Sequence, residues 1–171
     1  VYCPVRTACT ELLLSKLPLG TTGALPATID RPGMVWAELA GAGPHAGITV
    51  VGTHLYRPSR GWFRHARQLD GLIAGLGEIK GPLILGGDLN VSTWTRSFQS
   101  LIRRAGLQGA GRALPSWPAH PVPLPQFGLD HILVRGSLVM REFGLGDYAG
   151  SDHLPVKARI EVSGMARGAA F

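Results

Sequence analysis

The chain has 171 residues, 45% of them hydrophobic and 16% charged, which suits one globular domain with its own core and is too apolar for a disordered chain. A net charge of +6 and a pI near 10.0 favour anionic partners, whether nucleic acid, phosphorylated headgroups or a membrane surface, without choosing among them. Two cysteines, Cys3 and Cys9, exclude a disulfide framework or a four-ligand zinc site and read as free or buried thiols rather than a bridge.

No apolar run reaches the length of a membrane-spanning helix, and no secretory leader is visible. The chain opens on Val1 and its first residues read as mid-domain sequence, so a preceding segment is expected.

Residues 11–17, Glu-Leu-Leu-Leu-Ser-Lys-Leu, form a short apolar run that predicts a buried strand. Over 34–40, Val35, Ala37 and Leu39 alternate with Trp36, Glu38 and Ala40, which predicts another strand. Gly41, Gly43 and Pro44 read as a hairpin turn, and residues 47–54 follow as a β-branched strand ending at His54. Ser59 is placed as the cap of a helix running to residue 77, with Phe63, Ala66, Leu69, Ile73 and Leu76 facing inward. Gly81 and Pro82 end that connection. The apolar strand 83–86 then runs into Gly87-Asp88-Leu89-Asn90. A second helix fits 95–105, with Phe98, Leu101, Ile102 and Ala105 inward and Gly106 as its stop. Residues 109–128 are Gly/Pro-rich and irregular, and strands are expected around 130–135, 138–145 and 155–162. The domain is drawn over 1–162 and a frayed tail over 163–171. Strands alternating with two helices imply an α/β protein with helices packed on sheet faces.

Four polar clusters stand where these apolar strands end: Thr53-His54, Gly87–Asn90, Leu129-Asp130-His131-Ile132 and Gly150-Ser151-Asp152-His153-Leu154-Pro155. A carboxylate leaving a core is costly unless it is solvated, paired or bound to a cation, so convergent strand ends point to a metal or catalytic site. Asp88 and Asn90, two apart, share a face if the strand persists and offer oxygens to a hard cation or hold a phosphoryl oxygen. Either one alone reads more simply as a turn residue. Asp152 and His153 are adjacent and diverge on an extended backbone, which excludes a Ser151-Asp152-His153 relay. Asp130 enters an apolar strand and can orient a histidine, while His131 points the other way and is read as structural. His54 is followed by Arg57, Arg60, Arg64, His65 and Arg67, either a solvated helix face or an anion-attracting rim.

In this order the clusters resemble the endonuclease/exonuclease/phosphatase family, to which DNase I belongs. That family carries Thr-His, then Gly-Asp-(Phe/Leu)-Asn, then (Ile/Leu)-Asp-(His/Tyr)-(Ile/Val), then Ser-Asp-His-x-Pro. The match runs from Leu12 to Val162 and includes Leu13–Pro18, similar to the family's apolar-Ser-Arg/Lys-x-Pro strand. Ser116-Trp117-Pro118-Ala119 resembles a bacterial branch with membrane-tethered proteins similar to the teicoplanin-resistance protein.

The resemblance implies a four-layer α/β/β/α sandwich, truncated at its N-terminus, with the site at the open edge of the two sheets. It implies a metal-dependent hydrolase of phosphoester bonds that uses Mg²⁺, with Mn²⁺ or Ca²⁺ as alternatives. Carried over, Asp88, Asn90 and Asp152 bind metal; Asp130 pairs with His153, the general acid/base. His54 and Asn90, with Arg57 and Arg60, contact the substrate phosphate. The family's early motifs, an Asn on the first strand and a metal-binding Glu, are absent, and neither Glu11 nor Glu38 stands in the context to replace that Glu. The chain taken alone is therefore expected to bind metal poorly. The expected substrate is lipid-linked or a small phosphorylated molecule, with a DNA endonuclease or exonuclease and an inactive binding module as alternatives. A monomer is expected, with a membrane tether in the preceding segment and an extracytoplasmic catalytic domain.

Overall fold

The computed structural model describes residues 11–119 and 126–163. Cys3, Cys9 and the tail beyond Ser163 lie outside the described residues. Five strands, β1 (Leu19–Leu25), β2 (Gly33–Leu39), β3 (Thr49–His54), β4 (Leu83–Asp88) and β5 (Asp130–Arg135), lie side by side in chain order. All neighbours are antiparallel except β3 and β4. A parallel pair needs a long crossover, and α1 (Pro58–Glu78) supplies it. β6 (Leu138–Leu145) and β7 (Val156–Val162) form a separate antiparallel pair.

Alternation along the strands divides the core in two. Val51, Leu83, Leu85 and Leu133 pack with Leu69, Leu72 and Leu76 of α1 and with Phe98 and Leu101 of α2 (Arg96–Ala105). Their neighbours Val50, Ile84 and Val134 point the other way, onto Leu138, Met140, Ile160 and Val162 of the β6–β7 pair. The order is therefore helices, five-stranded sheet, two-stranded sheet, as expected of a DNase I-like α/β sandwich. Among the described residues no helix covers the outer face of β6–β7.

Three local expectations are corrected. Residues 11–17 form no strand of either sheet: Leu13 is buried, Leu12 and Leu14 are exposed, and the edge strand is β1 instead. β1 has little apolar alternation because Trp36 of β2 lies across it, and a side chain at Gly23 would meet the Trp36 ring at 2.0 Å. The N-cap of α1 is Arg57, without a side-chain cap, and Pro58 rather than Ser59 opens the helix. Phe63 is exposed, because the backbone is non-helical at Gly61 and the inward stripe runs through His65, Gln68, Leu69, Leu72, Ile73 and Leu76. α2 follows expectation: Thr95 Oγ1 accepts the Phe98 amide at 3.2 Å, and Gly106 closes the helix at φ 65°.

Candidate active site

The strand register builds the site. His54 pairs with Asp88, and Asp88 with Asp130, across three neighbouring strands. Residues opposite one another share a face, so the three side chains form a row on the face that looks toward β6–β7. The row ends where the strands end. Gly87 takes φ 150°, and a Cβ there would lie 1.8 Å from the Thr53 carbonyl oxygen, so only glycine lets β3 and β4 close at this point. β4 stops at Asp88, and Asn90 turns left-handed at φ 52°, a conformation asparagine tolerates. The strand does not persist to Asn90. The amide still returns to Asp88: the Asn90 backbone N–H donates to Asp88 Oδ1 at 2.8 Å, and Asn90 Nδ2 donates to Asp88 Oδ2 at 3.0 Å and to the Leu55 carbonyl at 2.9 Å. Leu89 is buried, as its position predicts.

His153 arrives from the loop between β6 and β7 and bonds through Nδ1 to Asp130 Oδ2 at 2.7 Å. Its Nε2 lies 3.9 Å from Asp88 Oδ2, and His54 Nε2 lies 3.5 Å from the same oxygen. Asp88, Asp130 and His153 are partly buried, while His54 is open to solvent. Burial pushes the Asp88 carboxyl above its ordinary pKa, and the nearby Asp130 charge adds to the rise, against the Asn90 amide and the two histidines. His131 faces the helices instead. It is buried against Phe98 with Nε2 2.7 Å from the Val91 carbonyl oxygen, and burial lowers its pKa.

The chain thus brings together His54, Asp88, Asn90, Asp130 and His153. Asp152 is exposed and its Oδ2 accepts from Trp117 Nε1 at 3.3 Å. Arg57 and Arg60 lie at the start of α1, three and six residues beyond His54. Among the described residues, ligand atoms of Asp88, Asp130 and His153 lie within 4.8 Å of one another. Two carboxylates this close, one raised by burial and by its neighbour, suit a divalent cation.

Sequence reasoning missed the staple beneath the site. Ser116 is fully buried; its Oγ accepts the amides of Leu129 and Asp130 at 3.3 Å, and its carbonyl accepts the Leu154 amide at 2.8 Å. The Ala119 amide donates to the Asp152 carbonyl at 2.8 Å. One short segment therefore ties the start of β5 to the loop carrying His153. Trp117 completes it, with its ring 6.3 Å from the His153 ring. The Gly/Pro-rich composition of 109–128 gave no periodic signal for this. Glu11 was also set aside, yet its carboxylate lies against Gly33, which pairs with His54, so it stands at the same sheet edge.

A model of the Endonuclease/Exonuclease/phosphatase family matches residues 12–153. No curated protein matches the sequence. Similar folds are found in an endonuclease/exonuclease/phosphatase from Beutenbergia cavernae (TM-score 0.69, 20% identity, covering 88% of this chain and 47% of that one). Sphingomyelinase C from Streptomyces griseocarneus is also similar (TM-score 0.58, 21% identity, covering 87% and 66%). So is D. rerio TDP2 complexed with single strand DNA product (TM-score 0.63, 13% identity, covering 84% and 68%). The chain spans 47% of the length of the first and 60% of human Nocturnin's catalytic domain.

Proposed function

Since the chain belongs to the endonuclease/exonuclease/phosphatase family, whose members hydrolyse phosphoesters, we propose that it is the catalytic portion of a divalent-cation-dependent phosphoesterase acting on a lipid-linked or small phosphorylated substrate. The observation that carries this reading is the Asp130–His153 pair, 2.7 Å apart, with His153 Nε2 turned toward Asp88.

Asp130 accepts the Nδ1 proton and so leaves Nε2 as the basic nitrogen, free to take a proton from a water placed in line with the leaving oxygen. Histidine suits this because its ordinary pKa lies near neutrality. His54, exposed at the rim, donates to a phosphoryl oxygen. Asn90 spends its amide hydrogens on Leu55 and Asp88, so it orients the Asp88 carboxylate. Asp88 and Asp130 would hold the cation, with Asn90 as a further oxygen donor, while the exposed Asp152 carboxylate accepts from Trp117 and is left out of the set; Mg²⁺ is the preferred ion, with Mn²⁺ or Ca²⁺ as alternatives. A bound cation would neutralise charge on the phosphoryl oxygens. Arg57 and Arg60 draw the anionic substrate to this edge.

The test is hydrolysis of a chromogenic phosphodiester with Mg²⁺ and with chelator, for wild type and His153→Ala. Cation-dependent turnover that the variant loses supports the reading; turnover equal in both refutes it. Release of phosphate from a lipid pyrophosphate beside nicking of a DNA plasmid separates the substrate classes. A nuclease is the second reading, supported by the arginines after His54, since phosphate contacts dominate nucleic-acid affinity. A binding module without activity is the third, and cation binding without any turnover would favour it.

A further inference from the structure

The inward stripe of α1 does not stop where the sheet stops. His65, Leu69, Leu72 and Leu76 face the core, and Trp62 continues the same stripe one turn further toward the N-terminus. Trp62 is nevertheless 70% exposed and Phe63 is 63% exposed. The reason is local: the backbone of α1 departs from helical geometry at Gly61, beside Tyr56. The two rings pack edge to face, with centroids 5.2 Å apart and planes at 77°, as a single apolar tip.

The charge along the stretch of chain that carries this tip has one sign. Residues 55–69 hold Arg57, Arg60, Arg64 and Arg67 and no acidic residue. Arg67 is held by Asp30, and Arg64 stacks 4.2 Å from the centre of the Tyr56 ring. Arg57 and Arg60 make no ion pair among the described residues. The neighbouring helix adds to the same edge. The Asp70–Arg104 pair ties α1 to α2 side by side, both follow strands that end at the site, and exposed Trp94 and Arg96 stand at the start of α2. All of this borders the strand ends that carry His54 and Asp88.

We propose that this edge is a docking surface for an anionic lipid bilayer: Trp62 and Phe63 enter the headgroup region, Arg57 and Arg60 meet lipid phosphates, and the strand-end row opens toward the membrane. Tryptophan and arginine suit this because each has an apolar body and a polar end. Basic residues near an anionic leaflet add attraction that falls with salt. A single-stranded nucleic acid fits less well. Successive bases need separate ring faces along a groove, whereas Trp62 and Phe63 are turned on each other at a convex helix end. The proposal deepens the phosphoester reading by placing its substrate in a bilayer.

Binding is measured apart from hydrolysis, so the two readings fail separately. The whole 171-residue chain is mixed with phosphatidylcholine vesicles, with and without phosphatidylglycerol, and co-sedimentation is followed as salt rises. Binding that needs the anionic lipid and weakens with salt is expected. Trp62→Ser with Phe63→Ser should lower the partition coefficient by at least about tenfold, and Arg57→Gln with Arg60→Gln by about tenfold or more. Quenching of tryptophan emission by brominated lipid should fall in Trp62→Phe, whose other tryptophans and fold are retained. The aromatic double variant should keep wild-type hydrolysis of a soluble phosphodiester and its wild-type melting temperature. Absence of vesicle binding, binding untouched by the aromatic variant, or an oligonucleotide bound through these residues in place of vesicles would overturn the proposal.

Discussion

Gly87→Ala tests the link between sequence, strand closure and site. Gly87 pairs with Thr53, next to the His54–Asp88 pair, and its φ of 150° lies where a side chain is strained. A residue forced into such a region costs about 1–3 kcal/mol. The added methyl would also lie 1.8 Å from the Thr53 carbonyl oxygen, which is backbone and cannot turn away, so β3 and β4 must separate. Overpacking of this kind costs about another 1–3 kcal/mol. The sum, about 2–6 kcal/mol, lowers the melting temperature of a domain this size by roughly 5–20 °C. Gly86→Ala is the control, because a Cβ at that position meets nothing within 4 Å. Thermal and urea unfolding of both variants by circular dichroism decides the matter. The reasoning is wrong if Gly87→Ala melts within 2 °C of wild type, or if Gly86→Ala is the more damaging of the two.

Asp130→Asn should keep the fold and lower kcat/KM by about 10²–10⁴, because His153 loses the acceptor that fixes its tautomer; an unchanged kcat/KM on a chromogenic diester would remove Asp130 from the mechanism. Asp88→Asn in the absence of divalent cation should raise stability, since its carboxyl is pushed up by burial and by Asp130, and should abolish the Mg²⁺-induced rise in melting temperature that the proposed site predicts for wild type. A lower melting temperature in chelator, or a Mg²⁺ response kept in full, would contradict this. Stability should also fall on acidification. Burial lowers the pKa of His131 and of His65, so both stay neutral in the fold while the unfolded chain takes up protons near the ordinary histidine pKa. Their contribution is complete above that ordinary value and is lost as pH drops from it toward the lowered one, by up to about 1.4 kcal/mol per pH unit for each histidine. In Asp88→Asn, which lacks the opposing gain from protonation of Asp88, a urea midpoint that stays flat from pH 7.5 to 5 would show that neither histidine is held neutral.

Much of this was legible in the sequence because the signals were local. β5 and β6 carry the apolar positions that mark 130–135 and 138–145, and α2 has both its cap and its stop in the sequence. The polar residues at strand ends were equally plain, and the register brings His54, Asp88 and Asp130 into one row. What escaped was set by long-range packing. The sequence of β1 carries little apolar alternation, and its place in the sheet shows only when Trp36 is laid across Gly23. Phe63 falls on a helical stripe in the sequence, but the kink at Gly61 and the end of the sheet leave it in water. Ser116 looks like any loop serine, and only the approach of Leu129, Asp130 and Leu154 makes its two oxygens structural.

The row at the strand ends is poorly explained as a contribution to stability. Two partly buried carboxylates stand close together, and the pKa of Asp88 is raised by burial and by its neighbour. A protein under selection for stability alone would do better with an apolar or amide residue at position 88. Yet the surrounding structure fixes these groups in place: Asn90 spends three donor contacts on Asp88 and Leu55, Ser116 holds the start of β5, and Gly87 is the residue that lets the strands close. Each of these supports is an element of backbone or a buried side chain, so the carboxylates cannot drift apart to relieve their repulsion. Negative charge held together in this way is what the proposed cation-dependent chemistry would need, and the two apolar clusters on either side of the sheet offset its cost.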